Sequence, residues 1–300
     1  MNYGKIAIIG AGAVGSTAAY AIIMKNIVTE LLLVDVNERR CHGEILDLSD
    51  ALSFSVTSNV RAATIQEAGS ADIIIIAAGI AQKPGQSRVE LLHANRAVIN
   101  SIMSSMGKLN PNAVIVVISN PVDLMTFLIQ DISGLPRNQV IGSGTFLDSQ
   151  RLRNLLAKKA NVAEQSVHAY ILGEHGDSQF FAQSISHIAG IPIAQFPGIT
   201  AQDLDEFPRT ARDRAYEIIQ CKGATYYGIA TCVAALCETI IFDHKRVLPV
   251  SHYQEEFGVC LSMPAVIGAK GVERIIPTPL DFKERALLQE SAEQLRVLCK

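Results

Sequence analysis

The feature that most constrains this chain is the run KIAIIGAGAVGS at residues 5–16. Four apolar residues, three of them isoleucine, lead straight into Gly10, Gly12 and Gly15, and a helix-forming stretch with Ala18, Ala19, Ala21, Ile22 and Ile23 follows. A β-branched run, a glycine turn and a helix in that order predict a buried parallel strand feeding a helix that packs back on it. The first glycine permits the tight turn, the second leaves room for a ligand to approach the backbone, and the third lets helix and strand touch. Free amides and the positive end of the helix then point at an anion, which suits the pyrophosphate of a dinucleotide. A second apolar run, residues 31–34, ends in Asp35, about 20 residues past the last glycine, where an acid would take ribose hydroxyls. That acid repels a 2′-phosphate, so NAD is expected over NADP, although Arg39 and Arg40 close behind work against the preference. A glycine turn with no nucleotide is the plainer alternative, and the placement of Asp35 argues against it.

Apolar stretches without alternation recur at 5–10, 30–35, 59–64, 71–79, 113–120 and 139–142, with helical patterns such as 89–109 and 122–132 between them. That alternation predicts a parallel sheet covered on both faces, an α/β fold of the Rossmann, doubly wound kind, over residues 1–142. From 143 to 300 the pattern changes to helices at 148–160, 211–242 and 282–299, with antiparallel-looking strands at 168–172, 246–253 and 258–266. This reads as an α+β substrate domain.

A second segment carries chemistry. ILGEHGDS at 171–178 sets His175 among acidic neighbours just past an apolar run, where a strand end would expose it. Histidine exchanges a proton near neutral pH and is the usual general acid or base. Ligands of open α/β sheets sit beyond the carboxyl ends of the strands. There lie Gly79, the 79–88 loop with Gln82, Lys83 and Arg88, and Ser119-Asn120-Pro121. Asp148 and Arg151 stand three residues apart at a helix start and share one face. By themselves these two also fit an acidic helix start with a surface ion pair, and Asn120 fits a turn residue.

Composition bounds the rest. At 300 residues the chain has room for two domains, and apolar runs such as 73–78 are far too short to cross a bilayer. A net charge of −3 without blocks of like charge argues against nucleic acid or an anionic membrane as partner. No secretory leader is evident, and Cys41, Cys221, Cys232, Cys237, Cys260 and Cys299 form neither a CxxC pair nor a metal-ligand spacing. Reduced thiols, no metal and a cytoplasmic location are the expectation.

Taken in order, GAGAVG, QKPGQSR, SNPVD, GSGTFLDSQR, GEHGDS and KGATYYG resemble the lactate and malate dehydrogenase family across essentially the whole chain. The resemblance implies an NAD-dependent hydride transfer to a small 2-oxo acid. It casts His175 as proton donor and acceptor, Asp148 as its charged partner, and Arg151 as the grip on the substrate carboxylate. Arg88 on a closing loop would polarise the carbonyl, with Asn120 and Thr225 positioning the substrate. Gly10, Gly12, Val14, Gly15, Asp35, Gly79, Ser119 and Ile229 would line the NAD site. Gln82 occupies the position that discriminates substrates; being neutral, it favours pyruvate and L-lactate over oxaloacetate, with malate or a branched acid as alternatives.

Several residues depart from the family's usual pattern: Gln86, Phe146, Phe180, Phe181 and Gln183. The bacterial members further suggest a homotetramer activated by fructose 1,6-bisphosphate through Arg153 and His168, the effect fading as His168 loses its proton near ~6.5. A solvated arginine and an ordinary strand histidine are the competing reading.

Overall fold

The computed structural model describes residues 4–55, 59–80 and 88–299. In the first half, β1 (Lys5–Ile9), α1 (Ala13–Lys25), β2 (Glu30–Val34), α2 (Glu38–Ala51), β3 (Asn59–Ala62), α3 (Ile65–Ala68) and β4 (Ile73–Ile76) are followed by α4 (Arg88–Met106), β5 (Val114–Val117), α5 (Val122–Ile132) and β6 (Val140–Gly142). The second half contributes α6 (Phe146–Ala160), then β7 (Val167–His168), β8 (Ile171–Leu172), β9 (Phe180–Phe181), β10 (His187–Ile188) and β11 (Ile191–Pro192). It closes with α7 (Ala201–Lys222), α8 (Tyr227–Ile241), β12 (Arg246–Gln254), β13 (Val259–Gly268), β14 (Gly271–Ile275) and α9 (Phe282–Cys299).

The main sheet runs β14-β13-β12-β6-β5-β4-β1-β2-β3, and its six strands from β6 to β3 are parallel. Both faces are covered, which is why β4 (IIII) and β5 (VIVV) need no polar alternation. All four isoleucines of β4 are 0% exposed, and each contributes about 1.5–3 kcal/mol by leaving water. The strand order reverses between β1 and β4, opening the crevice in which such folds hold their ligands.

The antiparallel β12–β13–β14 ribbon continues this sheet through the pairing of Ser251 with Gly142. The stretch read as one strand at 168–172 is two: β7 pairs with β10 in a three-stranded sheet and β8 pairs with β9 in another. The long helix expected at 211–242 is likewise two, and the first begins earlier. Thr200 and Asp203 cap α7 reciprocally at its start, and Gly223 ends it in the left-handed region (φ +85°), its N–H returning to Ile219 O at 2.8 Å. The helical periodicity continues across this break, so sequence pattern alone does not reveal it. Thr225 sits in the corner so formed.

Candidate active site

The glycine turn is built by contact. A Cβ on Gly10 (φ +106°) would lie 2.7 Å from Ala78 N, and one on Gly15 only 1.8 Å from Gly10 O, so strand, turn and helix pack only with glycine at both. Gly12 differs: nothing lies within 4 Å of where its Cβ would be. The space beside it belongs to a cavity of about 860 Å³ lined by Gly10, Gly12, Asp35, Asn37, Arg40, Gly79 and Ile80, at the crevice where the strand order reverses. These residues fit a dinucleotide.

Asp35 also braces the turn. Its Oδ2 accepts the Ala11 N–H at 2.7 Å and its Oδ1 the Asn37 N–H at 2.8 Å, so the acid holds the glycine turn against the end of β2. Each oxygen keeps a lone pair for a ribose hydroxyl. Val14 lies in the first turn of α1, and Ser119 donates to Ala78 O at 2.5 Å and Ile76 O at 3.1 Å, locking the ends of β4 and β5 together. Because Gly12 touches nothing, Gly12→Ala is expected to leave the melting temperature unchanged while weakening NADH binding about tenfold or more, as fluorescence titration would show.

The catalytic candidates converge from positions 27 residues apart in sequence. His175 Nδ1 lies 2.8 Å from Asp148 Oδ2, and Arg151 Nη1 donates to Asp148 Oδ1 at 3.1 Å. Asp148 is 2% exposed and Arg151 9%, so this is a buried triad rather than a surface ion pair at a helix start. Burial alone would raise the Asp148 pKa, but the His175 charge and hydrogen bond, with Arg151 beside them, hold it below the usual carboxylate range. For His175 burial works downward, and the Asp148 charge and hydrogen bond, with the Asp123 charge behind, outweigh it and raise the pKa. The site therefore keeps an imidazolium beside an aspartate.

The loop bearing His175 is fixed from several sides. Gly173 pairs with Ser262, the Glu174 N–H donates to Ser291 Oγ at 2.7 Å, Ser178 donates to Glu174 Oε2 at 2.6 Å, and the His175 N–H donates to Asp123 Oδ2 at 2.7 Å. A cavity of about 200 Å³ opens in front of the imidazole, lined by Asn120, Asp148, His175, Asp177, Arg212 and Tyr216 among others.

The family of this architecture is decided by comparison over its length. Residues 4–142 match the model for the lactate/malate dehydrogenase NAD binding domain, and residues 145–299 match that for the lactate/malate dehydrogenase alpha/beta C-terminal domain. The chain belongs to the lactate/malate dehydrogenase family. An L-lactate dehydrogenase A of Rhizopus oryzae is 48% identical over 294 residues, covering 98% of this chain and 92% of the relative. An L-lactate dehydrogenase of Chloroherpeton thalassium is 42% identical over 301 residues, covering 97% of each. The crystal structure of the minor L-lactate dehydrogenase from Enterococcus mundtii in its ligands-bound form superposes with a TM-score of 0.95 at 35% identity, covering 100% of this chain and 98% of that one. The expected family, fold, NAD cofactor and dehydrogenase activity all stand on this agreement.

As a lactate/malate dehydrogenase family member, the chain places its other candidates as follows. Asn120 is on the cavity wall, while Thr225 is half-buried at the α7–α8 corner and Ile229 packs against the core from α8. Neither of these two lines the histidine cavity. Gln82, Lys83 and Gln86 lie outside the described residues, and Arg88 is described only as the first residue of α4.

The departures from family pattern fall away from the cavity: Phe146 (2% exposed) and Phe180 (6%) are core residues, Phe181 packs on a third cluster, and Gln183 opens a short 3-10 turn. Arg153 turns away from Arg151, its Nε donating to Ala169 O at 2.9 Å and its guanidinium over the Tyr170 ring. His168 stacks on His187 with centroids 4.7 Å apart, and burial, His187 and Arg153 together lower its pKa, so the expected midpoint near 6.5 is corrected downward for the free chain.

Two residues escaped the sequence reading. Asn95 (1% exposed) accepts the Ile80 N–H at 2.7 Å and donates to Asn120 O at 2.7 Å, tying the loop after β4 to the one after β5. Its signal was an asparagine in phase with Leu92 and Ile99 on the buried face of α4. Asp123 resembled an ordinary acid in the first turn of a helix.

Proposed function

We propose that this chain interconverts pyruvate and L-lactate with NAD, the reading carried above all by the 2.8 Å contact between His175 and a buried Asp148 that also holds Arg151. With Nδ1 bound to Asp148, Nε2 is the ring atom free to exchange a proton with substrate. A carbonyl receiving hydride becomes an alkoxide unless protonated, and the raised pKa of His175 keeps that proton available near neutrality. When bound, the nicotinamide supplies or receives the hydride. Arg151 spends one N–H edge on Asp148 and keeps the rest of its planar fork for the substrate carboxylate. Asn120 and Thr225 position the substrate, Ile229 backs the nicotinamide, Arg88 polarises the carbonyl, and Gln82 rejects a second carboxylate by leaving it unpaired.

In this proposal residues 1–142 form the cofactor unit and residues 143–300 the substrate unit of a cytoplasmic homotetramer. Its effector is fructose 1,6-bisphosphate, held by Arg153 and His168. The positive charge these share with His187 supports that anion site.

NADH oxidation with pyruvate, oxaloacetate and a branched 2-oxo acid, side by side, tests the assignment. Pyruvate should have the highest kcat/KM, and Gln82→Arg should move the ratio toward oxaloacetate. An oxaloacetate preference in the unaltered protein would overturn the reading. Repeating the pyruvate titration with fructose 1,6-bisphosphate should lower the pyruvate KM; identical curves would remove the effector from it.

A further inference from the structure

Asp123 occupies a position that the triad leaves unexplained. It is 2% exposed, at the second residue of α5, where the first turn of that helix, the seam between β6 and β12, and the His175 loop meet. Its Oδ2 accepts the main-chain N–H of His175 at 2.7 Å. Its Oδ1 has no hydrogen bond, nor does Ser251 Oγ on β12 beside it, and these are the two buried side-chain oxygens so placed among the described residues. An ionised carboxylate with a bare oxygen is costly to bury. A neutral asparagine would make the same bond to His175, so the structure holds a charge here that backbone anchoring does not require.

We propose that Asp123 is a positioning residue that also acts electrostatically, holding the His175 main chain from behind and, as a second anion after Asp148, keeping the imidazole protonated. The proposal rests on the reading of His175 as the proton donor.

The surrounding charges agree with it. Burial pushes the Asp123 carboxyl up to about 6, while Ser251, the His175 N–H and the His175 charge pull it back and Glu174 pushes it further. Asp123 in turn raises His175 together with Asp148, against Arg151. Asp177 and Arg212 also face the His175 cavity. From the other side, Cys260 on β13 and Cys299 on α9 feel the Asp123 charge, but burial raises both thiols, Cys299 to about 11, so they stay neutral. The aspartate and the imidazole are thus two mutually stabilising charges that titrate as a pair.

Asp123→Asn separates charge from anchoring, because the amide oxygen still accepts the His175 N–H. The midpoint at which pyruvate kcat/KM falls with rising pH should drop by about half a unit or more. The midpoint at which lactate kcat/KM rises should drop by the same amount, with NADH affinity unchanged. Asp123→Ala loses the anchor too, and should in addition lower kcat roughly tenfold or more. Binding of oxamate, an unreactive analogue of pyruvate, to the NADH complex should lose affinity with pH at the same lowered midpoint.

Unmoved midpoints in Asp123→Asn, with the unaltered protein active on pyruvate, would overturn this role alone; absence of pyruvate reduction in the unaltered protein would overturn the proposed function instead. Should the variants fail to fold, NMR titration of ring-labelled His175 in the unaltered protein decides. Two inflections, one of them near the Asp123 midpoint, are expected, and a single one would refute the coupling.

Discussion

His175→Asn is expected to lower pyruvate turnover by at least about a hundredfold, the scale of general acid catalysis, while leaving NADH binding intact. The separation follows from the layout. The imidazole is held by Asp148 and its own loop, some distance along the chain from Gly12, Asp35 and the cavity that fits the cofactor. Asparagine keeps the size and polarity of the position, and the loop retains its main-chain anchor on Asp123 and the Glu174 bond to Ser291. The variant therefore removes one transferable proton and little else. Stopped-flow and steady-state assays with NADH and pyruvate would measure the drop, and near-normal turnover would show that the proton comes from elsewhere.

Asp148→Asn should act through pH as well as rate. In the unaltered protein burial lowers the His175 pKa and the Asp148 charge more than restores it, so the protonated form persists above the ordinary histidine value. Pyruvate reduction needs that form: its kcat/KM is full at low pH and declines as pH rises through the raised pKa. With the charge gone burial prevails, the pKa falls, and the decline should begin roughly one to three units lower. At pH 7 a shift of one unit already removes about tenfold of the protonated enzyme. Lactate oxidation, which needs the neutral ring, should extend to lower pH by the same interval. Arg151 also loses its buried counter-charge, so KM for pyruvate should rise alongside. A profile of kcat/KM from pH 5 to 9 in both directions checks this. An unshifted profile would mean that Asp148 orients the ring without setting its charge.

The parallel half of the fold was legible because its signals are local. A run such as IIII at 73–76 can be buried on both faces only inside a covered sheet, and Gly10 and Gly15 stand where a methyl group would collide with backbone 2.7 and 1.8 Å away. The second half was less legible. Residues 168–172 are apolar enough for one strand, yet two partners, β10 and β9, claim its two ends for different sheets. The α7–α8 corner was hidden because the helical period runs through it and the break depends on one glycine at φ +85°.

By itself the sequence determined the glycine turn, the acid at the end of β2, the buried parallel strands and the residue types of an acid, a charged partner and a carboxylate grip. These depend on spacing of a few residues and on side-chain chemistry, which the chain carries before it folds. Only the tertiary structure decided what those groups are to one another. Asp148 is a buried hub because α6 brings it 2.8 Å from His175 while Arg151 takes its other oxygen. Asn95 and Asp123 matter because helices α4 and α5 carry them to loops 25 and 52 residues away. A charge acquires its pKa from neighbours and burial, and both are properties of the packed chain.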